Sequence, residues 1–133
     1  MLFRSGLAIV GWGVVQYHAN RFAPMAYGSI QTKAGEPVED RLQQIYNRLC
    51  DIIMKYKPDA IAVEELFWNT NVTTGIVVAE ARGVILLCAR MHGIPIYDKL
   101  QSPFAQVEVV EDAYKRCQEK EPDMILKQLH IIL

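Results

Sequence analysis

The stretch Lys57-Pro58-Asp59-Ala60-Ile61-Ala62-Val63-Glu64-Glu65-Leu66-Phe67 decides how the rest of the chain is read. Pro58 has no amide hydrogen and disfavours helical geometry in the residue before it, so any preceding helix stops here. Residues 60–67 (AIAVEELF) then open as an uninterrupted apolar run, the pattern of a strand buried on both faces of a mostly parallel sheet. The run ends on two carboxylates. A carboxylate closing a buried strand is costly to desolvate unless it is paired, hydrogen-bonded or bound to a metal. Sites in open α/β sheets gather at the carboxyl ends of the strands, which makes Glu64 the leading candidate. A glutamate that simply reaches solvent is the plainer reading of the same pattern.

Upstream, Val38, Leu42, Ile45, Leu49, Ile52, Ile53 and Tyr56 recur at helical spacing. Pro37 sits near the first turn, Glu36, Glu39 and Asp40 complement the positive end, and Lys55 and Lys57 the negative one. Earlier still, residues 7–17 (LAIVGWGVVQY) are β-branched and aromatic with two internal glycines, which suits a strand with a bulge or a close backbone approach. Residues 26–32 (AYGSIQT) are expected to pair with it through a turn around Asn20 and Pro24. Downstream, a second helix is expected over 74–92, with Gly93 at its C-cap, followed by a short strand over 94–97. A hairpin followed by helix, strand, helix and strand is an α/β arrangement around a mixed sheet.

The 133 residues suit one domain, 1–133, with no internal repeat or Gly/Ser linker. Fourteen Lys and Arg against fifteen Asp and Glu leave a net charge of −1, which excludes a polybasic binder; any nucleic-acid contact must be local. The charge is uneven, +1 over residues 1–107 and −2 over 108–133. No apolar run of about 20 residues predicts a membrane span, and no secretory signal is visible, so a cytoplasmic protein is expected. Cys50, Cys88 and Cys117 lack metal-type spacing and read as buried reduced thiols. His18, His92 and His130, far apart, read as surface or helix-end residues.

Five segments carry a resemblance: Gly6-Leu7-Ala8-Ile9-Val10-Gly11-Trp12-Gly13-Val14-Val15, Tyr27-Gly28-Ser29-Ile30-Gln31-Thr32, Ala62-Val63-Glu64-Glu65-Leu66-Phe67, Asn71-Val72-Thr73-Thr74 and Ala81-Arg82-Gly83-Val84-Ile85. In this order and spacing, over about 6–97, they resemble the RuvC family of Holliday (crossover) junction endodeoxyribonucleases. The resemblance implies a ribonuclease H-like fold and a homodimer. It also implies a Mg²⁺-dependent endonuclease that nicks four-way junction DNA symmetrically in recombination and repair, with branch-migration motor proteins as further partners. Two-metal hydrolysis needs several carboxylates around its ions, and a two-fold dimer suits a two-fold substrate. Carried over by position, Glu64 is catalytic and a metal ligand, with Glu65 its neighbour. Phe67 matches an aromatic near the crossover, where stacking on an unpaired base is worth about 1–3 kcal/mol; a core aromatic is its other reading. Asn69, Asn71, Thr73 and Thr74 form a polar loop suited to phosphate contacts at a helix start, although Thr73 also suits ordinary capping. Arg82, among Ala79, Ala81 and Gly83, suits either the DNA backbone or the dimer.

Two departures qualify the resemblance. The family's central first strand ends in Asp-Pro-Gly, whose Asp is a metal ligand, whereas the corresponding positions here read Arg4-Ser5-Gly6. A guanidinium there opposes a dication. Beyond Tyr97 the family's basic segment and closing Asp-rich helix are not recognisable; residues 98–133 read as a divergent tail, with an acidic amphipathic helix over 107–117 and an apolar end over 124–133. Asp112 and Asp123 are candidate substitute ligands, though nothing in the sequence fixes them beside Glu64. The expectation is therefore an α/β, ribonuclease H-like domain with its first strand and C-terminal segment truncated or diverged and its active site incomplete. The alternatives are a non-catalytic junction-binding homologue and an unstable fragment.

Overall fold

A computed structural model of the chain describes residues 7–19, 21–33, 35–64, 72–97, 115 and 125–133. Strand β1 (Leu7–His18) and strand β2 (Arg21–Lys33) form the expected hairpin. His18 pairs with Arg21, so the connection is two residues long, and its first residue, Ala19, takes the left-handed φ of 51° that tight hairpins require. The turn therefore lies upstream of Pro24, which was expected within it. Pro24 sits inside β2 opposite Val15, where the register shifts and Met25 is the extra residue. A proline fits at such a bulge on an edge strand because no ladder hydrogen bond is demanded of it. The bulge lies beyond both glycines of β1, Gly11 and Gly13, and at Gly28 the close approach does occur. A Cβ at Gly28 would stand 2.9 Å from the Trp12 ring, so its absence lets that indole lie across β2.

Helix α1 (Val38–Tyr56) opens at Pro37 and stops at Lys57, whose φ of 50° turns the chain and whose amide still reaches the Ile53 carbonyl. Ile45, Leu49, Ile52 and Ile53 bury its inner face. Strand β3 (Ala60–Glu64) follows, with residues 60–63 buried on both faces as the apolar run predicts. Helix α2 (Val72–Met91) begins two residues before its expected start. It ends in a Schellman motif: the Ile94 amide donates to the Ala89 carbonyl, the Gly93 amide to that of Arg90, and Gly93 has a φ of 69°. Strand β4 (Ile96–Tyr97) pairs parallel with β3 and is shorter than expected. Of the helix expected over 107–117 only residue 115 is described, and it is helical. Among the described residues no helix is long and apolar enough to cross a membrane.

The apolar end, expected only as part of a divergent tail, forms strand β5 (Leu126–Ile132), which completes the sheet in the order β2-β1-β5-β3-β4. It lies antiparallel to β1 and parallel to β3, in the central position that the resemblance assigns to a first strand. Its register is pinned at both ends: the Lys127 amide donates to the Asp59 carboxylate (2.8 Å) and the Leu133 amide to the Glu64 carbonyl (2.8 Å). Alternation then sorts the side chains. Val10, Val14, Ile30, Ile61, Val63, Leu129 and Ile131 form one core with the inner faces of α1 and α2. Gln128, His130, Ala60, Ala62 and Glu64 take the opposite face.

Candidate functional site

Glu64 is the last residue of β3, half-buried, paired in register with Ile132 of β5. Two residues earlier, Ala62 pairs with His130, so His130 and Glu64 are diagonal neighbours on the sheet face away from α1 and α2. Burial lowers the His130 imidazole below its ordinary pKa, and the nearby Glu64 charge opposes that shift. His130 thus sits half-buried in the central strand, not at the surface or a helix end. Sequence spacing could not find it, because 66 positions separate the two residues and only the β3–β5 register joins them.

Glu64 offers the hard oxygen donor that Mg²⁺ prefers. The strand beside it contributes Ile131, Ile132 and Leu133 at the same end, none with a carboxylate side chain. Among the described residues no group of three His, Cys, Asp or Glu ligand atoms includes Glu64. The described part of the site therefore supplies one carboxylate, fewer than a two-ion centre uses.

The other expected site residues divide by location. Glu65, Phe67, Asn69 and Asn71 lie outside the described residues, as do Asp112 and Asp123. Thr73 and Thr74 fall in the first turn of α2 rather than in the loop before it, which puts them at the positive end of the helix dipole. Arg82 is half-buried in mid-helix. Along α2 the side chains of Ile76, Leu87 and Met91 are exposed by 55%, 55% and 65%, and Ala79 and Gly83 lie between them on the same exposed stripe. The buried face of α2 is formed instead by Ala81, Ile85, Cys88 and Ala89.

Comparison with known proteins agrees with this geometry. Residues 3–116 match the family described as crossover junction endodeoxyribonuclease RuvC. A relative of that description in Alkaliphilus metalliredigens is 43% identical over 124 residues, 93% of this chain and 74% of the relative. One in Brevibacillus brevis is 50% identical over 93 residues, covering 70% of this chain but 56% of the relative, so only part of that protein's length is represented. Among solved structures, Thermus thermophilus RuvC in complex with a Holliday junction substrate superposes with a TM-score of 0.62 at 25% identity, over 71% of this chain and 62% of that one. The five-stranded mixed sheet is thus ribonuclease H-like, and the chain belongs to the RuvC family of crossover junction endodeoxyribonucleases.

Proposed function

We propose that this chain, as one domain, acts on four-way DNA junctions as a structure-specific endonuclease, with Glu64 the carboxylate on which strand scission depends. The observation that carries this reading is the position of Glu64 at the carboxyl end of β3, next to the central strand of a sheet whose family cleaves crossover junctions. Glu64 would hold Mg²⁺, which when bound supplies charge neutralisation at the scissile phosphate. His130, kept towards its neutral form by burial, packs beside that carboxylate and helps to orient it. Since Arg4 stands where the family has a ligand Asp, cleavage requires substitute ligands, for which Asp112 and Asp123, outside the described residues, are the candidates.

The DNA contacts in this reading are Phe67 at the crossover, Asn69, Asn71, Thr73 and Thr74 on the phosphates approaching the start of α2, and Arg82 on the backbone. A homodimer would form across the exposed apolar stripe of α2, since a self-complementary helix face produces the two-fold symmetry that a junction shares. The protein would work in the bacterial cytoplasm beside the motor proteins that move the junction.

Gel-shift titration of a labelled four-way junction and a linear duplex of the same sequence, in chelator, tests the recognition half of this proposal. Binding of the junction at least about tenfold tighter than the duplex, falling with salt, is expected. Phe67→Ala should cost about 1–3 kcal/mol in junction affinity and little on duplex. Equal affinity for both DNAs would refute the reading.

A further inference from the structure

Helices α1 and α2 bring together side chains that the junction chemistry does not use. Tyr46 and Cys50 stand one turn apart on α1, and Cys88 lies in the last turn of α2 four positions before His92, the first residue past the helix. Cys50 Sγ lies 3.5 Å from Cys88 Sγ, and Cys88 Sγ lies 3.8 Å from His92 Nδ1. The three ligand atoms all fall within 4.8 Å of one another, the one such group among the described residues. A tetrahedral ion with bonds of about 2.3 Å to sulfur and about 2.0 Å to nitrogen has S···S and S···N edges of about 3.8 and 3.5 Å. The Cys50–Cys88 and Cys88–His92 separations differ from these by about 0.3 Å, and the third edge, Cys50 Sγ to His92 Nδ1, lies within 4.8 Å, so a turn of the exposed His92 ring closes the triangle.

We propose that Cys50, Cys88 and His92 form a binding site for a thiophilic d¹⁰ cation of the Zn²⁺ type, which clamps α1 to α2 and leaves a fourth position for water. Cys88 is fully buried, Cys50 half-buried and His92 exposed, so the ion enters from the His92 side. Soft sulfur with one imidazole selects Zn²⁺ over the Mg²⁺ suited to Glu64, so the two sites do not compete. In the metal-free form His92 Nδ1–H donates to the Cys88 carbonyl (2.8 Å). That carbonyl also accepts the His92 backbone amide (3.2 Å), so it keeps a partner when the ring turns to the metal. Binding releases two thiol protons, while the imidazole moves its own proton from Nδ1 to the exposed Nε2. The Tyr46 hydroxyl, one turn before Cys50 on α1, donates to Met91 Sδ (3.5 Å), a second link between the two helices beside the cluster.

The test is titration of the full chain, carrying Cys117→Ser so that two thiols remain, with Co²⁺ and then Zn²⁺ alone. The expected result is one equivalent of Co²⁺ with the absorption of tetrahedral thiolate coordination, displaced by Zn²⁺, together with a rise in Tm on adding Zn²⁺. Cys50→Ser and His92→Gln alter half-buried and exposed positions, so both should fold; each should weaken Zn²⁺ binding at least about tenfold and leave junction affinity unchanged. Binding that survives both variants would overturn the proposal. So would the absence of a Co²⁺ spectrum, or a Cys50–Cys88 disulfide found by mass spectrometry in chain purified under mild reduction.

Discussion

Leu129 and Gln128 are adjacent in β5, yet substitutions at the two positions should change stability in opposite directions. Leu129 has no exposed surface and lies between Val14 of β1 and Ile61 of β3 on the helix-facing side. Leu129→Ala removes three carbons at about 0.8 kcal/mol each and leaves a cavity, for a total cost of about 2–5 kcal/mol. Gln128 is equally buried on the opposite face, and among the described residues neither amide atom has a hydrogen-bond partner. An unsatisfied buried polar group costs about 1–3 kcal/mol, so Gln128→Leu, similar in size and apolar, should recover about 1 kcal/mol. Urea unfolding followed by far-UV circular dichroism reads both. With a slope of about 1–3 kcal/mol per molar, the midpoint should fall by about 1–2 M for Leu129→Ala and rise by about 0.5 M for Gln128→Leu. Shifts below about 0.2 M in both variants would refute the reasoning, because residues 126–132 would then not occupy the centre of the sheet.

Three other outcomes follow from the packing and the burial. Gly28→Val should destabilise by about 1–3 kcal/mol in the same assay, since its Cβ would stand 2.9 Å from the Trp12 ring, whereas Gly83→Ala, with open space around it, should be nearly neutral. Leu87→Glu places a charge on the exposed α2 stripe and should shift sedimentation equilibrium towards monomer without lowering Tm by more than a few degrees. Burial pushes the Cys88 thiol up to about 12, so in chelator the folded state resists its ionisation while the unfolded chain does not. The associated stability is complete below about pH 9 and is lost as pH rises from there towards 12, so Tm should fall more steeply over that range in the unchanged chain than in Cys88→Ala.

The parts of the fold legible in the sequence were those fixed by local chemistry. The boundaries of α1 follow from Pro37 and the Lys57-Pro58 stop, β3 from its apolar run, and the end of α2 from Gly93. Glu64 was legible because a charge at the end of such a run stands out. β5 was not legible, since an apolar segment such as residues 126–132 becomes a strand only through pairing with β1 and β3, more than 50 positions away. Pro24 was assigned to a turn because a proline inside a strand needs a bulge, and the bulge depends on the partner strand. Cys88 and His92, four apart in the sequence, read as a buried thiol and a helix-end residue, because Cys50 joins them only through the packing of α1 on α2. His130 escaped for the same reason as β5.

The most direct test of the central claim is incubation of a labelled synthetic four-way junction with the full chain in Mg²⁺, beside Glu64→Gln and a linear duplex. Paired symmetric nicks near the crossover are expected, abolished in Glu64→Gln and absent from the duplex. Nicks that persist in Glu64→Gln, equal cutting of the duplex, or an intact junction after incubation with the unchanged chain would contradict that claim.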